Sequence, residues 1–267
     1  MTQPVVHRSA PMALITDTWV MTRRNLRRQF RIPSQLAYTT ALPVMWVLLF
    51  VYVFGGSIQV PGASYVDFLV PGILVLSVAF GIANTALGLS DDLESGVLDR
   101  FRSQPVSRPA LLIGRALFDT MRNVLGLLIA LGVGFAVGFE YHNGLPALVG
   151  AFALTVALGF AVSWIGVLIG LAVHDPEAAQ TAGTLLAIPV IFASSTFVPV
   201  SSMPGWLQAV ASNNPITHAV DAARALTLGG PAAKPVTATL LWVVGIVAVA
   251  LPAAVLRYQR AAKWGES

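Results

Sequence analysis

The chain has 267 residues, 56% of them hydrophobic and only 10% charged, where soluble domains carry about 25% charged residues. That composition excludes a water-soluble globule and makes a bilayer the natural solvent; the complete lack of cysteine excludes disulfides, iron–sulfur clusters, thiolate metal sites and a cysteine nucleophile. The net charge of +4 is no sign of nucleic-acid binding, because the placement of the basic residues accounts for it.

Residues 1–33 form an N-terminal arm. On a helical wheel Ile15, Trp19, Leu26 and Phe30 share one face, with Arg24, Arg28 and Arg31 opposite. The pattern predicts an amphipathic helix in the inner membrane interface, apolar side down and arginines toward lipid phosphates. Its simpler role is a topology anchor. Polar-to-mixed residues before the first apolar run speak against a cleavable signal peptide, and Pro33 stops the helix.

Residues 34–267 make one transmembrane domain. A spanning helix needs about 20 mostly apolar residues, and six segments qualify, at about 36–54, 68–89, 118–139, 145–172, 178–197 and 236–256. Pro43, Pro189 and Pro252 fall inside them, which membrane helices tolerate. Fourteen of the 16 Lys and Arg residues flank one side, and only Arg224 and Lys234 lie on the other. The inside-positive bias therefore puts both termini in the cytoplasm. Lysine occurs only at Lys234 and Lys263, a bias of GC-rich bacterial genomes, so the membrane expected is the bacterial inner membrane.

Between the second and third spans runs DDLESGVLDRFRSQPVSR, residues 91–108. It holds seven of the chain's 28 charged residues. Leu93, Val97 and Phe101, spaced by four with Leu98 beside them, make an apolar stripe. Asp92, Glu94, Asp99, Arg100 and Arg102 are left for water or a partner. This predicts a short amphipathic helix over 91–102, packed on the membrane domain and offering a charged rim to a soluble protein. Pro105 ends it, and Ser107 can cap the next helix with Pro109 in its first turn. A solvated inside-positive loop is the alternative.

After the fifth span, residues 198–235 carry two helices too short to cross a bilayer. They are expected to dip into the outer leaflet as a re-entrant pair. Asp221 and Arg224, three apart, can pair on one helical face, as a structural pair or as a substrate contact. No charge lies at the middle of any span, which argues against proton coupling. Asp119 and Arg122 are expected to satisfy each other near the inner start of the third span.

Known chemistry is missing. Neither Lys234 nor Lys263 fits the phosphate-cradling loop G-x-x-x-x-G-K-[ST]. The histidines are scattered, no pair stands at zinc-ligand spacing, and no nucleophile has its base. The chain is thus expected to be no enzyme and to bind no cofactor or metal. Apolar and small polar groups would line a pathway: Ser77 and Asn84 on span two, and Thr181, Thr184 and Ser195 on span five. Each can equally be a small residue for helix packing.

The stretch ESGVLDRFRSQPVSR, with Glu94, Gly96, Leu98, Arg100, Pro105, Ser107 and Arg108, resembles the signature loop of bacterial type-2 ABC transporter permeases. MPGWLQAVASNNPITHAVDAARAL, with Pro204, Trp206, Asn214, Pro215, Asp221 and Arg224, resembles the outer segment of the same family. Within it the chain is most similar to the daunorubicin/doxorubicin-resistance permeases. The resemblance implies an all-α polytopic protein of six transmembrane helices, with a coupling helix between spans 2 and 3 built from Asp92, Leu93, Glu94, Gly96, Val97, Leu98, Arg100, Phe101 and Arg102. It implies a separate ATP-binding-cassette ATPase subunit that holds ATP and Mg, bordered also by the N-terminal helix. A second permease, the same chain or a homologue, is implied too, with spans two and five of both partners lining the path and the outer hairpin capping it. The expected function is ATP-driven export of a hydrophobic drug or lipid by alternating access; the alternative is an ion-coupled secondary transporter.

Overall fold

In hydrocarbon the backbone has no water to bond, so each long apolar run must satisfy its own peptide groups as a helix. The computed structural model describes residues 33–55, 64–95 and 108–264, and every regular element among them is helical. The arm, with Trp19, Arg24 and Arg28, and the loop residues Gly96, Val97, Leu98, Arg100, Phe101 and Arg102 lie outside the described residues. Helix α1 (Pro33–Leu49) continues through a π turn at Phe50–Phe54. Helices α2 (Tyr65–Ala79) and α3 (Gly81–Glu94) make one 30-residue apolar rod, interrupted by a turn at Phe80. Then follow α4 (Arg108–Ala136), α5 (Gly144–Gly170), α6 (Pro176–Phe192), the short α7 (Gly205–Ala211), α8 (Pro215–Leu228) and α9 (Ala233–Trp264).

Among the described residues four segments are long and apolar enough to cross a bilayer: Tyr65–Glu94, Leu112–Ala136, Gly144–Gly170 and Ala233–Gln259. Helix α1 with its π turn and the 17-residue α6 are apolar but shorter. Helix α4 begins at Arg108, where a helix capped at Ser107 with Pro109 in its first turn is expected; the apolar span was placed only from 118, so Asp119 and Arg122, expected near its start, stand well inside the helix. One element end differs from the sequence expectation. The helix ending at Phe192 was expected to run to 197. Pro189 removes one ladder N–H. Beyond it the Asn214 amide donates to the carbonyls of Val190 and Ala193, at 2.6 and 2.8 Å, taking acceptors that a continuing helix would have used.

Helix α5 is the hub, packed against α3, α4, α8 and α9. Small residues set how closely the rods approach. A methyl on Gly166 would meet the Ile82 carbonyl oxygen at 2.5 Å, one on Gly170 the Ala86 oxygen at 2.8 Å, and one on Gly183 the Ala83 Cα at 2.6 Å. Helix α3 is thus clamped between α5 and α6, backbone against backbone. Ser90 ties its lower end to the α5–α6 turn, its hydroxyl shared between the carbonyls of Val173 and His174 at 2.9 and 2.8 Å. On the outside, Leu185, Leu241 and Val249 are each about two-thirds or more exposed, as side chains facing lipid or another membrane protein must be.

Overpacking at such a contact costs about 1–3 kcal/mol. Gly170→Val is therefore expected to lower the unfolding temperature of the detergent-purified protein, while Gly245→Val, at an open glycine on α9 with nothing nearby, leaves it unchanged.

Candidate functional site

The lower ends of α3 and α4 carry the largest concentration of buried charge among the described residues. Asp92 sits in the last turn of α3, and Arg115 is seven positions into α4. The Arg115 Nη1 donates to Asp92 Oδ2 at 2.9 Å and to the Gly88 carbonyl at 2.9 Å, and its Nε donates to Asp119 Oδ2 at 3.2 Å. The guanidinium also stands over the Phe118 ring, 5.7 Å from its centroid. Arg122 Nη2 approaches Asp119 Oδ1 at 3.3 Å but without hydrogen-bond alignment. Two acids and two arginines make a neutral set, which is the form in which charge survives burial. Gly88 is required beneath it, because a Cβ there would run into the Arg115 guanidinium.

The geometry fixes both roots of the loop. Asp92 lies just before the chain leaves α3, Arg115 just after it enters α4, and residues 95–107 span the gap. Asp92, Leu93 and Glu94 belong to the end of the α2–α3 rod rather than to a separate helix beginning at 91, so any displacement of that end is carried directly into the rod. Glu94 is exposed and Asp92 buried. Of the charges expected on an outer rim, Asp92 therefore faces inward to Arg115.

A second polar knot closes the opposite end. Arg224 of α8 is buried and donates to three carbonyls: Phe68 (2.8 Å), Ser195 (2.7 Å) and Thr196 (2.9 Å). Its guanidinium lies over the Phe68 ring, 3.4 Å from the centroid. Asp221 is 3.9 Å away and accepts the Ser195 hydroxyl at 2.7 Å. The expected Asp221–Arg224 proximity is present, but carbonyls are the closer partners of Arg224. Two of them, those of Ser195 and Thr196, are open acceptors of the non-helical stretch after α6, which a membrane protein must satisfy internally, and the third, that of Phe68, ties α8 to α2. Asn214 completes the knot by capping α8 through the Ile216 N–H at 2.9 Å. Nearby, Asp67 accepts the Glu140 N–H at 2.7 Å, tying α2 to the α4–α5 turn.

The pathway candidates separate into two places. Ser77 and Asn84 border a cavity of about 230 Å³ between α1, the α2–α3 rod and α4. Thr181, Thr184 and Ser195 do not border it. The first two return their hydroxyls to their own helix, at Glu177 and Gln180, and Ser195 belongs to the Arg224 knot. Arg115, Asn123 and Trp46 were not singled out from the sequence. The Arg115–Asp119 spacing of four, within a helix expected to follow Ser107, was the available signal for the first. Among the described residues no acidic and histidine side chains group as a metal site.

Residues 16–228 match the ABC-2 type transporter family. The chain is 33% identical over 251 residues to a daunorubicin resistance ABC transporter permease of Streptomyces coeruleorubidus, covering 94% of this chain and 87% of that one. It is 26% identical over 249 residues to a doxorubicin resistance ABC transporter permease of Mycobacterium tuberculosis, covering 86% and 84%.

Removing one partner of a buried ionic set costs about 3–5 kcal/mol, because the other charges are stranded. Arg115→Leu is expected to destabilise the purified protein by that order in thermal unfolding, whereas Glu94→Gln, at an exposed acid, changes it by less than about 0.5 kcal/mol. At the outer knot Arg224→Lys keeps the charge but cannot span three carbonyls, and is expected to lower the unfolding temperature measurably.

Proposed function

The chain belongs to the ABC-2 type transporter family and is a membrane permease subunit partnered by a separate ATPase, and from that premise we propose that it exports a hydrophobic or amphipathic compound, drug or lipid. The observation that carries the reading is the match along 94% of the chain to a permease named for daunorubicin resistance. Uncharged lining of the cavity beside Ser77 and Asn84 supports it. The cargo crosses the bacterial inner membrane outward. Helix α1 and α6 are taken as the first and fifth of six spans, both termini lie in the cytoplasm, and α7–α8 form the outer re-entrant cap, with Asp221 and Arg224 at its base. ATP and Mg are held by the ATPase subunit and none by this chain.

Coupling runs through the loop between α3 and α4. Its rim, with Glu94, Arg100 and Arg102, meets the ATPase, and its apolar side, with Leu93, Val97, Leu98 and Phe101, rests on the membrane domain, with Gly96 in the same coupling segment. The N-terminal helix, with Trp19, Arg24 and Arg28, lies beside the same partner. Asp92 supports this role through Arg115, since a loop that transmits displacement needs stiff roots. A second permease, the same chain or a homologue, completes the path. The exposed face of α6, with Thr181 and Leu185 open to the outside of the subunit, suits a path shared between two copies, with Thr184 beside it.

The test is reconstitution of the permease with its ATPase subunit in inverted vesicles. ATP-dependent uptake of daunorubicin is expected, with Glu94→Ala and Phe101→Asp reducing drug-stimulated ATP hydrolysis to the unstimulated level. ATP-independent uptake that collapses with an uncoupler would overturn the reading.

A further inference from the structure

The cavity beside Ser77 and Asn84 holds more than the exporter reading uses. It lies about halfway along three helices, at Leu42–Trp46 of α1, Leu76–Asn84 of the α2–α3 rod and Asn123–Leu127 of α4. Two of its lining residues sit at irregularities. Pro43 cannot bond the carbonyl four residues back, and at Phe80 the rod passes through a one-residue turn that keeps the Phe80 N–H to Leu76 carbonyl bond at 3.1 Å. Asn123 packs closely on one glycine: a Cβ on Gly81 would lie 3.3 Å from its amide nitrogen.

Two of its polar side chains are unspent. The Ser77 hydroxyl is returned to the Ile73 carbonyl at 2.7 Å. The amides of Asn84 and Asn123 make no hydrogen bond among the described residues. Both side chains are half-buried, so each unpaired amide bears only part of the roughly 1–3 kcal/mol that an unpaired amide costs in a fully apolar setting, and here two from different helices line one cavity about halfway along those helices. Such groups are retained where something else binds them. No charged side chain lines the space, so an ion would meet no counter-charge there. An acyl chain would leave both amides unpaired. Trp46 supplies an aromatic wall. It stacks on Phe50 with ring centroids 5.7 Å apart, and Phe50 stacks on Phe197 at 4.6 Å, just beyond α6.

The geometry points to a binding site within a single subunit for an uncharged planar aromatic compound bearing carbonyl or hydroxyl groups. The ring lies between Trp46 and Phe80, and Asn84 and Asn123 each offer donors and an acceptor to its polar edge. A volume of about 230 Å³ is below the roughly 300–1,000 Å³ of drug-sized sites, so the site takes one ring system, or the flat part of a larger molecule. The inference rests on the exporter reading for its cargo class but assigns a place inside the subunit, distinct from a path between two permeases.

The probe is quinizarin, an uncharged hydroxyanthraquinone, radiolabelled and bound at equilibrium to the purified complex of permease and ATPase. Asn123→Leu and Asn84→Leu are each expected to weaken binding about tenfold, the worth of a buried hydrogen bond, and Ser77→Phe, which fills the space, to abolish it. Removing an unpaired amide from an apolar surround should also leave the unfolding temperature of ligand-free Asn123→Leu unchanged or higher; a purely structural asparagine would lower it. Unaltered affinity in all three variants, or loss of stability in both leucine variants with affinity kept, overturns the site. ATP-driven daunorubicin uptake by the wild type is measured in parallel. Intact uptake with unaltered binding in the variants removes the cavity and leaves the exporter; variant-sensitive binding without uptake by the wild type does the reverse.

Discussion

A guanidinium buried at the root of a loop is the constraint on which the rest depends. Arg115 cannot stand in the membrane domain without its acids, and those acids come from two elements, Asp92 at the end of α3 and Asp119 one turn along α4. Neutralising it therefore forces the two helix ends together. The loop between them is held at both roots by one side chain, and the glycine below, Gly88, gives up its side chain to admit it. Such a set is a poor source of stability compared with apolar packing. Its use is register: each of its partners must be in place for any to be satisfied.

The same logic, applied to neutral groups, organises the other end. Where α6 stops short, carbonyls are left open in a region without water. Arg224 and Asn214 gather them, and in doing so fasten α8 to α2 and to the end of α6. Between these two polar knots the molecule is held by close backbone approach at Gly166, Gly170 and Gly183. Helix α3 is gripped on two sides and cannot slide independently of α5 and α6. The rod runs from the lower end of α3 to Phe68, whose carbonyl Arg224 holds. The cavity beside Asn84 lies along it, next to the turn at Phe80.

Much of this was legible in the sequence, and the reasons for the rest are physical. Helical class, the apolar runs and the short helices after α6 follow from hydropathy and length, since a bilayer admits few alternatives. The family was legible from the residues of the loop and of the outer segment. The start of α4 was legible from Ser107 and Pro109, although hydropathy alone begins the span at 118 and passes over Arg115. The end of α6 was not legible. The stop of α6 depends on Asn214, a residue more than twenty positions away in the chain. Arg224 could be matched to Asp221 by spacing, but no pattern announces a carbonyl as a partner. Asn123 reads as an ordinary polar residue in a span until Gly81 is seen packed against its amide.

The central claim is that the roots of α3 and α4 move as one body when the ATPase subunit binds nucleotide. The cysteine-free chain allows spin labels to be placed singly at Ser95, at the end of α3, and at Met121, on the exposed face of α4. Pulsed electron–electron distance measurement on the assembled complex, with and without ATP, tests the claim most directly. The account predicts one narrow distance that ATP leaves unchanged in the wild type and that broadens in Arg115→Leu. A wild-type distance that shifts or splits on ATP binding would contradict it.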